Sequence, residues 1–341
     1  MSPVSSRGAG FAAGESVQAI VLREPGDPSV LHLDEYPDPD PGPGEVVVEL
    51  KSAALNRRDT QVRRGAQTFD LPLVPGSDGA GIRRDTSDEV VILPSLGWGK
   101  REDAPEPGFR ILGGPDDGTY AELVAVPVEN VYPKPSRLSW HEAAAFPLAA
   151  LTAYRALVYR ARVQSGEIVL VLGAGSGVST FAIQIAARVG ARVFATSSSQ
   201  EKLARARELG AEAGIDYTSQ SWVAEARELS GGSGVDVVLD SVGETWPESL
   251  RCLRPGGRLV VFGATGGSQV ELEVRPIYLG QVSILGTTMG SPRDFAGLLR
   301  MVESEGFRCA IDSVYPLADA ARAHERMESG AQFGKLVLDV S

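Results

Sequence analysis

The segment that most constrains this chain is Ile168-Val-Leu-Val-Leu172 followed by Gly173-Ala-Gly175-Ser-Gly177-Val-Ser179. An apolar run of strand type ends in a glycine-rich turn. The turn opens an amphipathic helix through Thr180, Ile183 and Ile185 to Val189. Gly190 ends that helix, and a second apolar run, Ala191 to Ala195, begins. A strand–turn–helix–strand unit of this kind suits a dinucleotide. Its glycines let the backbone approach a pyrophosphate, and the helix N-terminus offers free N–H groups and a positive dipole end. The GxGxxG fingerprint is imperfect, with Val178 at its last place, so the flanking strands and helix carry the reading.

From Ile168 onward strand and helix signals alternate. Strands are predicted at Ile168–Leu172, Arg192–Thr196, Val235–Asp240, Gly257–Gly263 and Ser283–Thr287, with helices such as Gln200–Leu209 and Ser221–Leu229 between them. Such alternation predicts a parallel sheet covered on both faces. The part before Ser139 is β-rich, with strands at Gln18–Leu22, Glu45–Leu50, Glu89–Leu93 and Ala121–Val126. Residues 1–16, rich in Ser, Gly and Ala, read as a flexible tail without the apolar core of a signal peptide. Gly97–Gly108, polar and turn-prone, reads as a long surface excursion. Ser139-Trp-His-Glu142 fits a capping box that starts an Ala-rich helix, interrupted at Pro147 and running to about Leu157. The end, Gly334 to Val340, returns to strand character.

With 341 residues the chain has room for two cored domains. A net charge of −11 and a sequence pI near 4.9 disfavour nucleic acid and anionic membrane as partners. No run approaches the length of a membrane span. Cys252 and Cys309 form no CxxC pair, so they read as packing residues of a reduced, cytoplasmic protein. His32, His141 and His324 are scattered, with no HExxH, and no GK[ST] phosphate loop is present.

NAD sites place Asp or Glu at the end of the second strand, to grip the ribose 2′-hydroxyl. Here Thr196 and Ser197 hold that place, with Ser198 beside them and Lys202 on the following helix. Hydroxyls and a cation suit a 2′-phosphate, which an acid would repel, so the expected cofactor is NADPH. Ser199 also reads as an ordinary helix cap.

Several further segments, in this order, carry a resemblance. They are Ala54-Leu-Asn56-Arg-Arg-Asp59, Pro75-Gly-Ser-Asp-Gly-Ala-Gly81, Asp117-Gly-Thr-Tyr-Ala-Glu122, Pro147-Leu-Ala-Ala-Leu-Thr-Ala-Tyr-Arg155, Leu253-Arg-Pro-Gly-Gly-Arg-Leu259 and Gly334-Lys335. From about Val17 to Val340 the chain resembles the medium-chain dehydrogenase/reductase superfamily, on its zinc-independent quinone oxidoreductase side. The resemblance implies an α/β protein: a GroES-like, β-rich catalytic domain (17–138 and 292–341) with an inserted Rossmann doubly wound parallel sheet (139–291). A homodimer is also implied.

The resemblance further implies roles. Asn56 stands where zinc-dependent relatives place a cysteine ligand, and in quinone reductases an asparagine there faces the nicotinamide. Ser77-Asp78 replaces the histidine-bearing segment and Leu148 the third ligand, so no metal is expected. The excursion Gly97–Gly108 lies where relatives carry a four-cysteine zinc lobe, and it contains no cysteine. Arg57 is placed near the pyrophosphate and Thr152 at the nicotinamide ring. Gly175, Ser176, Gly177 and Val178 line the pyrophosphate, Tyr217 lies near the 2′-phosphate, and Phe262, Gly263 and Lys335 match further cofactor contacts. A tyrosine common in quinone reductases is replaced by Gln61, and the stretch Gly65–Phe69 lacks the proton-donating tyrosine of enoyl-thioester reductases.

Without a Lewis acid, an isolated ketone is a poor acceptor, whereas a quinone or an α,β-unsaturated carbonyl spreads the arriving charge. The expected activity is hydride transfer from NADPH to such an acceptor, with Asn56 and then Arg58 as candidate donors to its oxygen. Two other readings stay open: an enoyl-thioester reductase of lipid or polyketide metabolism, and a weakly catalytic NADPH-binding sensor.

Overall fold

The structure, a computed structural model, describes residues 16–219, 222–304 and 306–341. Most of the expected tail lies outside the described residues. Ser16 does not belong to it, because it opens the strand Ser16–Val21 and pairs with Pro37.

Six parallel strands form one sheet, in the order Ala213–Asp216, Arg192–Ser197, Ile168–Val171, Val235–Asp240, Leu253–Val261, Ser283–Gly286. Side chains alternate across a strand, and here both faces find a core. Val169 and Val171 join one buried cluster with Val193, Ala195, Val237 and Leu239. Leu170 and Leu172 join another with Phe194, Ile215, Val238 and Leu259. Continuous apolar runs are what two buried faces demand, and each such side chain contributes roughly 1.5–3 kcal/mol by leaving water. Strand order reverses between Ile168–Val171 and Val235–Asp240, the crevice where ligands bind in open α/β sheets. The glycine-rich turn sits at that crevice and leads into the helix Gly177–Arg188. Ser176 caps this helix by accepting from the Ser179 N–H at 3.1 Å, and Gly190 follows it at φ +85°.

A seven-stranded sheet holds Ile311–Pro316, Lys335–Asp339, Glu45–Ala54, Asp78–Arg83, Glu89–Ile92 and Val131–Pro133 in that order, with Leu123–Pro127 also paired to Glu45–Ala54. Segments on both sides of the parallel sheet in sequence thus build one sheet, while Ser16–Val21 and His32–Pro37 form a separate pair. The helix Pro292–Val302 joins the halves. Its Phe295 meets the Tyr132 ring at 4.9 Å and stacks on Phe146 at 6.1 Å.

Ser139 caps Trp140–Ala145 with the expected box, and Pro147 opens a second helix, Pro147–Tyr154. That helix continues into the π-helical turns of Arg155–Arg160. The excursion at Gly97–Gly108 lies largely at the surface as expected, but it is anchored at one point. Trp98 is buried, and Arg155 stacks over it at 4.6 Å and over Tyr159 at 4.4 Å. The same guanidinium donates to the carbonyls of Glu102 and Asp103 at 2.7 and 3.1 Å and to Asp294 at 2.5 Å. Ser291, the cap of Pro292–Val302, donates to Glu102 Oε2 at 2.8 Å. A buried cation therefore holds the excursion against the junction of the two halves.

Candidate active site

Three neighbouring strands bring the central residues together. In the pairing of Lys335–Asp339 with Glu45–Ala54 and of that strand with Asp78–Arg83, Ala54 stands opposite both Val337 and Asp78. Asn56 and Lys335, each two residues from these partners, and Asp78 itself meet at one sheet end. All three are buried. The Lys335 Nζ donates to Asn56 Oδ1 at 2.7 Å and to Asp78 Oδ2 at 2.9 Å, and Asn56 Nδ2 donates to Asp78 Oδ2 at 3.0 Å. Asp78 Oδ1 accepts the Leu148 N–H at 2.8 Å, in the first turn of Pro147–Tyr154, where the helix dipole favours an anion. A buried charge is tolerated when it is paired and hydrogen-bonded, and here both conditions hold.

A second buried acid supports the first group. Asp59 Oδ2 accepts the Asn56 N–H at 2.7 Å and the Tyr120 hydroxyl at 3.0 Å. Burial pushes the Asp59 carboxyl up from its ordinary range, and pushes the Tyr120 hydroxyl well up too. Asn56 thereby starts the helix Arg57–Arg63 in a fixed orientation.

Arg58, expected as a donor to substrate, faces elsewhere. Its Nη1 donates to Ser77 Oγ at 2.8 Å and to the Leu112 carbonyl at 3.0 Å, and its Nη2 to the Gly114 carbonyl at 3.2 Å. It fastens the loop 112–114, so both Nη atoms are engaged within the protein. Arg57 is exposed at the helix start. Thr152 is buried with its hydroxyl turned back to the Leu148 carbonyl at 2.8 Å.

The glycine-rich turn is closely covered. A Cβ on Gly175 would lie 2.8 Å from Lys202 Cδ and 3.1 Å from the Gln332 carbonyl, and one on Gly177 would lie 2.8 Å from Lys335 Cδ. The Gly334 N–H donates to the Gly175 carbonyl at 2.9 Å. Gly177 and Val178 open the helix, so their N–H groups have no intrahelical acceptor. A narrow cradle with free amide donors fits a pyrophosphate.

At the end of Arg192–Ser197, Thr196 is committed to the turn: its hydroxyl accepts the Gly173 N–H at 3.2 Å. Ser197 is buried and accepts the Ser199 N–H at 3.1 Å. Ser198 is exposed and lies 3.2 Å from the hydroxyl of Tyr217, which is half-exposed. These two hydroxyls meet beside the start of the helix Gln200–Glu208. Lys202 does not join them, because its ammonium donates to the Gly330 carbonyl at 2.7 Å. Phe262 and Gly263 follow the strand Leu253–Val261, at the C-terminal edge of the sheet.

Sequence reasoning missed the pairing of Lys335 with Asp78 and the clamp of Arg155, although both residues lie in segments singled out by resemblance. Cys252 is buried and its thiol is pushed up to about 12 by burial, in keeping with a packing role, and burial pushes Cys309 up as well. Among the described residues no helix is long and apolar enough to cross a membrane.

A Rossmann sheet inserted between the two parts of a β-rich domain, its glycine-rich turn set against Gln332–Lys335 of that domain, defines a nucleotide-dependent oxidoreductase of two-domain type. Comparisons agree. Residues 42–136 match the family described as alcohol dehydrogenase GroES-like domain, and residues 177–304 the one described as zinc-binding dehydrogenase. A zinc-type alcohol dehydrogenase-like protein of Schizosaccharomyces pombe is 34% identical over 91% of this chain and 95% of its own length. Mouse quinone oxidoreductase is 32% identical over 96% of this chain and 99% of its own. A solved structure described as an NAD-dependent alcohol dehydrogenase is 42% identical, with a TM-score of 0.90, covering 95% of this chain and all of that one. The chain belongs to the medium-chain dehydrogenase/reductase superfamily and is an oxidoreductase of that family, which uses a nicotinamide cofactor.

Proposed function

We propose that this chain reduces quinones or α,β-unsaturated carbonyls with NADPH and without zinc. The observation that carries this reading is the Lys335–Asp78–Asn56 group, built where zinc-dependent relatives hold their metal. A catalytic zinc ion takes three protein ligands. Here the Asn56 carbonyl and the Asp78 carboxylate already face an ammonium, and the third position is Leu148. These residues do not fit zinc, and among the described residues no three His, Cys, Asp or Glu side chains converge to hold a metal. Likeness to quinone oxidoreductases supports the same acceptor class.

In this reading the turn Gly173–Val178 holds the pyrophosphate with help from Arg57, and Thr152 and Phe262 would flank the ring. The nicotinamide nucleotide supplies the hydride when bound. The chain's part is to orient the acceptor, exclude water and hold the charge that develops on its oxygen. The test is anaerobic NADPH oxidation after dialysis against a chelator, with a quinone, an enone, a crotonyl thioester and a simple ketone. Quinone or enone should turn over fastest, and zinc should not raise the rate. Faster reduction of the ketone, or recovery of activity by zinc, overturns the reading.

NADPH preference rests on the hydroxyls of Ser198 and Tyr217 and on the absence of an acid at Ser197. Ser198→Asp places a like charge against the 2′-phosphate and should cut the ratio of kcat/KM for NADPH over NADH by about tenfold, the effect of roughly 1.4 kcal/mol. A wild-type chain that prefers NADH contradicts the assignment.

A homodimer is part of the same proposal. Among the described residues the strand Ser283–Gly286 ends the parallel sheet with one edge unpaired. Beside it Val274, Leu279 and Tyr278 are 69%, 63% and 57% exposed. An open edge flanked by apolar side chains invites pairing, and two copies related by a two-fold axis would cover both. Light scattering should give twice the chain mass, and Leu279→Glu should shift it to the monomer.

A further inference from the structure

Resting on that reading, we propose that the Lys335 ammonium is the group that holds the acceptor's oxygen, a cation supplied by the chain itself. An ammonium carries three N–H donors. One goes to Asn56 Oδ1 and one to Asp78 Oδ2, and among the described residues no third acceptor is found. Asp78 is fully engaged by the Leu148 N–H, Asn56 Nδ2 and Lys335. It therefore acts as a fixed counter-charge, which lowers the cost of burying the ammonium and fixes its direction.

The position suits the role. The Lys335 stem crosses Gly177, the first residue of the helix at the nucleotide crevice, so the ammonium lies just past the pyrophosphate cradle. Thr152 sits on the helix whose first turn anchors Asp78. Asn56 is less free than expected: its carbonyl faces Lys335 and one of its two amide hydrogens goes to Asp78. It spaces and orients the lysine, and a neutral amide is the weaker donor.

The chemistry balances. Hydride addition to the acceptor leaves an electron pair on its oxygen, as an enolate or quinolate. The free Lys335 N–H hydrogen-bonds that oxygen while the charge develops, and one proton from solvent completes the two-electron reduction. Lys335 keeps its own protons throughout.

The first test needs neither variant nor nucleotide. The probe is 4-nitrophenol, whose anion mimics the charged oxygen and is read by its visible absorption. The wild-type chain should bind the phenolate and lower the probe's pKa by about one unit, a tenfold preference for the anion. Failure to bind it at millimolar concentration, or binding without a pKa shift, overturns the proposal. The second test pairs Lys335→Met with Asp78→Asn, so that no lone charge stays buried. The double variant should keep its thermal unfolding transition, lose the phenolate shift, and lose roughly 10²–10³ in kcat, the cost of one oxyanion donor. Its NADPH dissociation constant, read by fluorescence, should change far less than kcat, because methionine keeps a stem of similar bulk over Gly177. A large loss of NADPH affinity with kcat intact would instead make Lys335 a nucleotide contact and overturn the proposal. Should the wild-type chain reduce none of the acceptors, the proposed function fails while the phenolate shift still reports on Lys335.

Discussion

Arg155→Met should destabilise the protein by about 3–5 kcal/mol, the range found when one partner of a buried ion pair is removed. Arg155 and Asp294 are both buried, and their contact is 2.5 Å. Methionine fills much of the volume but leaves the Asp294 carboxylate without its partner. It also frees the carbonyls of Glu102 and Asp103 and removes the cation from between Trp98 and Tyr159. Urea unfolding measures the loss, and limited proteolysis should show new cleavage within 97–108. Adding Asp294→Asn should recover part of the stability, since the isolated charge then disappears. A single variant within about 1 kcal/mol of wild type would show that the clamp is replaceable by packing.

The second large effect is a loss of stability in mild acid that belongs to one side chain. His324 is buried against Tyr120, and its Nδ1 accepts from Arg63 Nη1 at 3.4 Å. The ring proton is therefore on Nε2, which has no partner among the described residues. Burial, with the Arg63 charge beside it, brings the His324 pKa down from 6.5 to about 3. The unfolded chain binds a proton near pH 6.5 and the folded chain does not. Stability is therefore complete above pH 6.5 and falls as the pH drops from there toward 3. A shift of this size is worth on the order of 3–5 kcal/mol across the window. Carboxylates titrate there as well, so the difference between wild type and His324→Phe isolates the histidine. The variant should be less stable at neutral pH, having lost the Arg63 contact, but its unfolding free energy should fall less steeply between pH 6.5 and 4. Parallel curves for the two proteins would place the proton uptake elsewhere.

The parallel sheet was legible because burial on two faces leaves a continuous apolar run, and Val235–Asp240 was read to the residue. Ser139 and Gly190 were equally plain, since a helix cap and a left-handed turn act over a few residues. The expected strand at Gly257 begins earlier, at Leu253, because Leu253 already pairs with Val235, ahead of an irregularity after which regular pairing resumes at Arg258. The site was less legible. Lys335 and Asp78 are 257 residues apart and Arg155 and Asp294 are 139 apart, so no local spacing announces either pair. Composition reads Gly97–Gly108 as a surface excursion, which most of it is, but a single tryptophan among charged neighbours does not announce that Trp98 is buried as its anchor. The partners of Arg58 and Lys202 were illegible for one reason: they are backbone carbonyls of distant loops, and sequence carries no sign of a carbonyl's direction.

The strand Lys335–Asp339 carries the ammonium and completes the edge beside Glu45–Ala54. Its counter-ion Asp78 lies 257 residues earlier in the chain, so the ion pair closes only once both strands have docked. Deleting this strand would leave Glu45–Ala54 with a bare edge on that side and strand the Asp78 carboxylate in the interior without its counter-charge.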